Sequence, residues 1–209
     1  KKKLKLPKAS ENPKSSGYLT ARKLNPNDFY YAEHFKKFVN SIKPTFDDTK
    51  HDEERIIIPL YYEKNLIGLQ GRSINPSPVK YITVMLDDDA PKIYGLDNIR
   101  RDAPVYITEG PFDSTFIRNA CAMCGSDVDV SGCGISNPVY IYDNEPRNKE
   151  IVNRISKTID RGYQVVIWPD HINVKDIRSE CFFDHEFLNK QKFLDRRRAQ
   201  SRSTLSRKL

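Results

Sequence analysis

The sequence predicts an α/β protein in which a parallel sheet flanked by helices is preceded by a small mixed α+β subdomain. After residue 103, short apolar strands alternate with amphipathic helical segments, which is typical of a buried parallel sheet with crossover helices. Between residues 55 and 84, three β-rich runs are separated by turn residues, as in an antiparallel meander. A chain of 209 residues is long enough for one substantial domain, or for a core with a smaller appendage.

The positive charge is concentrated in the two ends of the chain. Residues 1–16 carry six Lys and one Glu, and residues 185–209 carry eight Lys or Arg and two acids, so a net charge of +7 leaves residues 17–184 at −4. Basic ends favour contact with polyanions, or are simply solvated. No apolar run approaches the roughly 18 to 20 residues of a membrane span, and the Lys-rich start does not resemble a signal peptide. We therefore predict a cytoplasmic protein with no membrane partner.

The first 103 residues divide into three predicted parts. Residues 1–16 lack apolar periodicity and predict a basic linker, and residues 17–103 form the predicted N-terminal subdomain. Within that subdomain, apolar residues from Gly17 to Asn40 recur at helical spacing and predict a small helical element. The predicted strands of the meander follow at 55–62, 66–70 and 79–84.

Residues 104–180 are predicted to form the parallel sheet. We expect strands at 105–108, 139–142 and 164–168, and helices at 112–123 and 149–159. Gly162 suits the position just after the second helix, where glycine commonly ends a helix. Residues 181–209 predict one more helix, over 181–195, and a disordered basic tail.

Acidic residues follow each predicted parallel strand. Because the carboxyl ends of parallel strands meet at one edge of the sheet, we expect six acids to gather there: Glu109, Asp113, Asp143, Glu145, Asp170 and Asp176. Carboxylates packed together stay ionised only beside a cation, and hard oxygen ligands select Mg²⁺ or Mn²⁺. The pattern predicts metal-assisted phosphoryl transfer or phosphodiester chemistry. The structural alternative is that these acids only cap the helices that follow them.

The four cysteines invite a zinc interpretation, since Cys121 and Cys124 have the spacing of a zinc knuckle. A structural zinc site needs a second ligand pair, but Cys133 is near, Cys181 is far, and the four His residues form no paired motif. We expect no zinc in this chain, and reduced thiols instead.

The acidic motifs carry a resemblance to a known family. A strand followed by Glu109-Gly110 and Asp113, and a second strand followed by Asp143-Asn144-Glu145, resemble the TOPRIM domain of bacterial-type primases, topoisomerases and some nucleases. The resemblance implies that residues 104–180 form a TOPRIM-type parallel sheet. In most primases the second motif ends in Asp, and Glu145 departs from that pattern.

The segment before these motifs favours primases over the other proteins that contain a TOPRIM domain. Gly68-Leu69-Gln70-Gly71-Arg72, Lys80-Tyr81 and Lys92-Ile93-Tyr94-Gly95 are similar to the basic stretch of bacterial-type primases, which topoisomerases lack. From about Tyr18 to about Ile177, the chain is similar to the catalytic core of the primases of T-even-like bacteriophages, above all at Tyr142-Asp-Asn-Glu-Pro-Arg147.

This resemblance implies roles for individual residues. Glu109 would support metal binding and act in the attack of a 3′-hydroxyl, with Asp113 and Lys80 as further catalytic residues. The implied metal ligands are Glu109, Asp143, Glu145 and Asp176. The implied nucleotide- and DNA-binding residues are Arg72, Lys80, Tyr81, Lys92, Gly110, Arg147 and Lys175. The family's Asn-Asp after the Lys175-Asp176 motif is here Arg178-Ser179, a departure in that loop.

The implied function is that of a DNA primase, a DNA-directed RNA polymerase that makes short RNA primers for phage DNA replication in the cytoplasm of an infected bacterial host. The implied cofactor is Mg²⁺ or Mn²⁺. The implied partners are a single-stranded DNA template, ribonucleoside triphosphates, a replicative helicase, and the zinc-ribbon domain of the full-length protein.

Two alternative functions stay open. A TOPRIM nuclease would use the same carboxylates with water as the nucleophile, and the basic stretch around Arg72 and Lys80 argues against it. A non-catalytic module that binds single-stranded DNA or a helicase is the other alternative, and the intact Glu109, Asp143 and Glu145 argue against it.

Overall fold

The computed structural model describes residues 4–125, 128–168, 175 and 193–194. It divides the chain into two compact units, an N-terminal unit, Lys1–Asp97, and a C-terminal unit, Asn98–Leu209. The boundary that the sequence predicts lies a few residues further on, between residues 103 and 104. A sheet with parallel strands and flanking helices confirms the predicted α/β class. Among the described residues no helix is long and apolar enough to cross a membrane.

The N-terminal unit contains an antiparallel sheet in the order β1-β2-β3-β4. Its helices and strands are α1 (Pro13–Thr20), β1 (Tyr30–Ala32), α2 (Phe35–Ile42), β2 (Arg55–Tyr62), β3 (Asn65–Ser73), β4 (Tyr81–Met85) and β5 (Ile93–Tyr94), with 3₁₀ turns at Ala9–Glu11 and Pro26–Asp28. The predicted meander is confirmed by strands β2 to β4. Strand β1 lies inside the stretch predicted as helical, because its three residues pair with β2 and extend the sheet by one strand.

One face of this sheet packs on helix α2. Residues alternate between the two faces of a strand, so Ile57 of β2 and Leu69 of β3 point to the same side. They pack with Phe35 and Val39, which lie one turn apart on α2, and all four side chains are fully buried. This layer forms the core of the N-terminal unit.

Residues 4–16 belong to the folded unit rather than to the predicted linker. Leu4, Ala9 and Ser15 are buried, and the Ser15 hydroxyl donates a hydrogen bond of 2.7 Å to the Ala9 carbonyl. Helix α1 begins at Pro13, and the Asn12 side chain caps it by accepting hydrogen bonds of 3.0 Å from two N–H groups of its first turn. Polar capping holds this segment in place, which explains why a search for apolar periodicity missed it.

The C-terminal unit contains the parallel sheet. Its elements are β6 (Val105–Thr108), α3 (Pro111–Ser114), β7 (Ala120–Met123), β8 (Pro138–Ile141), α4 (Lys149–Asp160), β9 (Gln164–Val166) and β10 (Phe193–Leu194), with 3₁₀ turns at Ser131–Cys133 and, where the two units join, at Leu96–Asn98. Strands β9, β8, β6 and β7 are neighbours in that order and run parallel, and β10 pairs antiparallel with β9.

The predicted helix over 112–123 is wrong in its second half. Helix α3 ends at Ser114, and Ala120–Met123 is a strand beside β6. Asn119 turns the chain with a φ of +54°, and its side chain donates hydrogen bonds of 3.0 and 2.7 Å to the carbonyls of Arg100 and Pro104. These partners are distant in sequence, so local periodicity could not reveal the turn.

The second predicted helix is confirmed as α4, and Gly162 follows its end with a φ of +92°. The predicted helix over 181–195 and the predicted disordered tail lie outside the described residues, apart from Phe193–Leu194 in β10.

Gly71 is predicted to tolerate no larger side chain. A Cβ at this position of β3 would lie 2.4 Å from Cε2 and 2.7 Å from Cζ of Phe35, whose ring is fully buried. We expect Gly71→Ala to lower the free energy of unfolding by about 1–3 kcal/mol, since overpacking a filled core forces side chains off their rotamers. Urea denaturation followed by circular dichroism measures this loss.

Gly17→Ala is the matched control for this prediction. A Cβ at Gly17, in helix α1, meets nothing within 4 Å, so this variant is expected to be neutral or stabilised by up to about 1 kcal/mol. Equal effects of the two substitutions would contradict the steric argument.

Candidate active site

Glu109 and Asp143 meet at the carboxyl edge of the parallel sheet. Thr108, the last residue of β6, is paired in register with Ile141, the last residue of β8, so the residues that follow leave the sheet side by side. The backbone N–H of Asp143 donates a hydrogen bond of 3.0 Å to Oε2 of Glu109. Both side chains are largely shielded from solvent, with 17% of Glu109 and 26% of Asp143 exposed. The structure thus brings together two of the acids that the sequence predicts to meet.

Glu145 lies beside Asp143 and is held by a lysine. Lys175 Nζ is 2.9 Å from Oε1 of Glu145 and 3.8 Å from Oδ2 of Asp143, and the Lys175 carbonyl accepts a hydrogen bond of 2.6 Å from the N–H of Asn144. The Lys175 ammonium and a hydrogen bond from the Asn148 amide lower the pKa of Glu145 below its usual range. A positive charge of the chain itself therefore sits between these two carboxylates.

Asp113 and Gly110 lie on the β6 side of the same edge. A cleft at this edge is lined by Asp113 together with Glu109 and Asp143, and Trp168 forms part of its wall. Trp168 donates a hydrogen bond of 2.8 Å from its indole N–H to the Tyr142 carbonyl. A Cβ at Gly110 would lie only 3.1 Å from Oδ2 of Asp113, so glycine lets the backbone pass close to this carboxylate.

Arg154 is a residue of this site that the sequence analysis missed. It lies on α4, and its Nη1 donates a hydrogen bond of 2.9 Å to Oε1 of Glu109 while Nη2 is 2.5 Å from Oε1 of Glu150. The available signal was the i, i+4 spacing of Glu150 and Arg154 on the first helix after Asp143. That spacing predicts a surface ion pair and gives no sign that the arginine also reaches Glu109.

The N-terminal unit holds Arg72 in a buried, aromatic setting. Arg72 is 6% exposed, and its Nε donates a hydrogen bond of 2.8 Å to the Tyr18 hydroxyl. Its guanidinium lies 4.5 Å from the ring centroid of Tyr81, within the range of a cation–π contact, and Arg22 lies 3.6 Å from the ring of Tyr18. Among the described residues, Nη1 of Arg72 has no hydrogen-bond partner. Tyr18 and Arg22 were not singled out by the sequence analysis.

The other predicted basic residues are exposed. Lys80 and Lys92, in the N-terminal unit, present their side chains to solvent, as do Arg147 and Lys175 in the C-terminal unit. The Lys80 carbonyl is instead a structural acceptor, because it receives a hydrogen bond of 3.1 Å from the Ser73 N–H. These four residues therefore lie at the surface, and Lys175 is at the same time paired with Glu145.

Two of the six acids predicted at this edge, Asp170 and the predicted metal ligand Asp176, lie outside the described residues. Within the described ranges, no three His, Cys, Asp or Glu side chains are already arranged to hold a metal ion.

Three of the four cysteines, Cys121, Cys124 and Cys133, are buried free thiols in the C-terminal unit. Burial raises the pKa of the Cys121 thiol to about 12, so at neutral pH this thiol is protonated. The absence of zinc from this chain stays a prediction.

Solved structures share this fold. The E. coli primase catalytic core aligns with a TM-score of 0.63 and 16% identity over 89% of this chain and 76% of that one. The DnaG primase catalytic domain bound to single-stranded DNA aligns with a TM-score of 0.58 and 16% identity, covering 83% of this chain and 69% of that one. The fold is therefore that of a DnaG-type primase catalytic core.

A protein related in sequence makes the assignment more specific. The DNA primase of Enterobacteria phage T4 is 34% identical over 172 residues, which are 79% of this chain and 50% of that protein. These similarities support a phage-like primase catalytic core and confirm the family resemblance drawn from the motifs. The chain spans about half the length of the T4 protein. No protein-family model matches the chain.

Proposed function

We propose that this chain synthesises short RNA primers on single-stranded DNA by metal-dependent nucleotidyl transfer. The observation that carries the proposal is the contact between Glu109 and Asp143 at the ends of two neighbouring parallel strands, with Glu145 two residues further along. Functional groups of parallel α/β sheets lie at this edge. The T4 protein with which the chain is 34% identical is named a DNA primase, and this supports the same reaction here.

The donor chemistry of the site fits Mg²⁺ or Mn²⁺. Glu109, Asp143 and Glu145 offer hard carboxylate oxygens on partly buried side chains, and Lys175 already provides a positive charge between two of them. We assign these three carboxylates as metal ligands and propose Asp176, outside the described residues, as a fourth. When bound, the divalent ion would neutralise charge on a triphosphate and on its leaving group.

The proposed reaction joins two ribonucleotides. The oxygen of a 3′-hydroxyl attacks the α-phosphorus of a triphosphate, a new P–O bond forms, the bond to the β-phosphate oxygen breaks, and pyrophosphate leaves. Glu109 would orient the attacking hydroxyl or accept its proton, and Asp113, which lines the same cleft, would support it. Because Gly110 carries no side chain, a phosphate group could approach the backbone at this point.

Basic residues would bind the anionic substrates. Lys175 would turn its ammonium from Glu145 to the triphosphate, and Arg147 is a further exposed cation of the C-terminal unit. In the N-terminal unit, Arg72 is a proposed phosphate-binding residue; its unpartnered Nη1 is buried, so the side chain would have to move to donate to phosphate. Lys80 is a proposed catalytic cation, and Tyr81 offers a ring for base stacking.

The proposed macromolecular partners follow from the same function. A DnaG catalytic domain has been solved bound to single-stranded DNA, and this supports a single-stranded DNA template for this chain. Lys92 would add a phosphate contact to that template. We further propose a replicative helicase and a zinc-ribbon domain as partners, and the cytoplasm of an infected bacterium as the place of action.

Incorporation of labelled ribonucleotides on mixed-sequence single-stranded DNA tests the proposal. We expect oligoribonucleotides of a few residues when Mg²⁺ or Mn²⁺ and all four triphosphates are present, and none when EDTA is added. The reaction is run with and without a zinc-ribbon fragment added in trans. Degradation of the template would favour a nuclease instead. Binding of the DNA without either product, even with the ribbon, would favour a non-catalytic module.

A further inference from the structure

Arg154 of helix α4 joins the helix to the carboxylate of Glu109. Its guanidinium uses one terminal nitrogen for Glu109 and the other for Glu150. The two ends of this bridge differ in environment, because the Glu109 side chain is 17% exposed and the Glu150 side chain is 70% exposed. The contact with Glu109 is therefore the shielded one, where a charge-assisted hydrogen bond is less screened by solvent.

The contact gives Glu109 a hydrogen-bond donor at its second carboxylate oxygen. Oε1 accepts from Arg154 and Oε2 accepts from the N–H of Asp143, so one donor fixes each oxygen. An ionised carboxylate has about four acceptor positions, which leaves one on each oxygen for another ligand. A carboxylate held at both oxygens presents these remaining positions in a set direction.

We propose that Arg154 is a positioning residue that orients Glu109 toward a divalent cation. This inference rests on the proposed function only in that it takes Glu109 as a metal ligand. Residues that hold metal ligands in place through hydrogen bonds commonly contribute 10- to 100-fold to metal affinity or activity. An arginine suits this role better than a lysine, because its planar fork reaches Glu109 and Glu150 together while an ammonium acts as a single point charge.

Counting bound Mn²⁺ tests the proposal without requiring catalysis. The electron paramagnetic resonance signal of free Mn²⁺ gives the dissociation constant for the intact chain and for its variants. We expect Arg154→Met to weaken Mn²⁺ binding about 10- to 100-fold, and Arg154→Lys to give an intermediate value. Lys157→Met is the matched control, since it removes one positive charge from an exposed position of the same helix and is expected to change the constant less than about 2-fold.

A double-mutant cycle separates positioning from a general effect on the helix. If Arg154 acts through Glu109, Arg154→Met causes no further loss in the Glu109→Gln background. An equal loss in both backgrounds would overturn the proposal. Tighter Mn²⁺ binding by Arg154→Met would also overturn it, because that result makes Arg154 only a repelling charge. If the Met variant does not fold, the same cycle is made with Arg154→Lys.

A failure of this inference and a failure of the proposed function give different experimental results. A chain that binds Mn²⁺ in an Arg154-dependent way but makes no primers would support this inference and overturn primer synthesis. A chain that makes primers while its Arg154 variants bind Mn²⁺ like the wild type would do the reverse. A wild-type chain that binds no Mn²⁺ would overturn the inference.

Discussion

Glu109→Gln is expected to reduce primer synthesis by about 10³-fold, as assayed by the initial rate of ribonucleotide incorporation. The substitution keeps the size of the side chain, and the amide oxygen can still accept one hydrogen bond, but the negative charge is lost. In the proposed reaction this charge binds a cation and attracts the hydroxyl proton, and removing a preorganised charge of this kind typically costs 10²- to 10⁴-fold in rate. Because the Glu109 side chain is only 17% exposed, water cannot easily replace it.

The control for this prediction is Glu33→Gln, which makes the same chemical change at an exposed position. It is expected to retain the wild-type rate within about 2-fold. Circular dichroism and urea denaturation show whether each variant is folded before its rate is compared. If folded Glu109→Gln kept more than a tenth of the wild-type rate, Glu109 would have no catalytic part in this reaction.

The meeting of Glu109 and Asp143 could be predicted because it depends only on strand order. Each acid lies within two residues of the end of a short apolar strand, and parallel neighbours end at the same edge. Helix α4 was predictable for a similar reason, since its amphipathic repeat is a local property and Asn148 caps its first turn. Where a local sequence pattern determines an element, that element can be predicted from the sequence alone.

The missed features depend on contacts between distant residues. The sequence of residues Ala120–Met123 fits the end of a helix equally well. These residues form a strand because they pair with β6. The reach of Arg154 to Glu109 depends on how α4 is rotated against the sheet, which no periodicity specifies. Tyr18 and Arg72 are 54 positions apart, so their hydrogen bond is equally invisible to a local pattern.

Arg55→Met is expected to lower the free energy of unfolding by about 3 kcal/mol, as measured by urea denaturation. Arg55 is fully buried, and its guanidinium donates hydrogen bonds to the carbonyls of Gly71, at 2.9 Å, and of Val79, at 2.7 Å. It also forms an ion pair with Glu53. Methionine fills much of the space but removes both hydrogen bonds and the ion pair, and the bond to the Gly71 carbonyl lies in the interior. Arg55→Lys is expected to lose most of the same stability, because an ammonium cannot match the fork of three contacts.

The exposed pair of Arg100 and Asp102 provides the control. Nε of Arg100 lies 3.5 Å from Oδ1 of Asp102, and both side chains are more than three quarters exposed. Arg100→Met is therefore expected to change the free energy of unfolding by less than about 0.5 kcal/mol. A loss for Arg55→Met no larger than this would mean that the buried arginine contributes no more than a surface charge. The same substitution is expected to affect function. Arg55 donates a hydrogen bond to the carbonyl of Val79, the residue directly before Lys80 and Tyr81, and so holds the backbone at this point. Even where Arg55→Met stays folded, the proposed template contact of these two residues is expected to weaken, and DNA affinity at low salt measures that change.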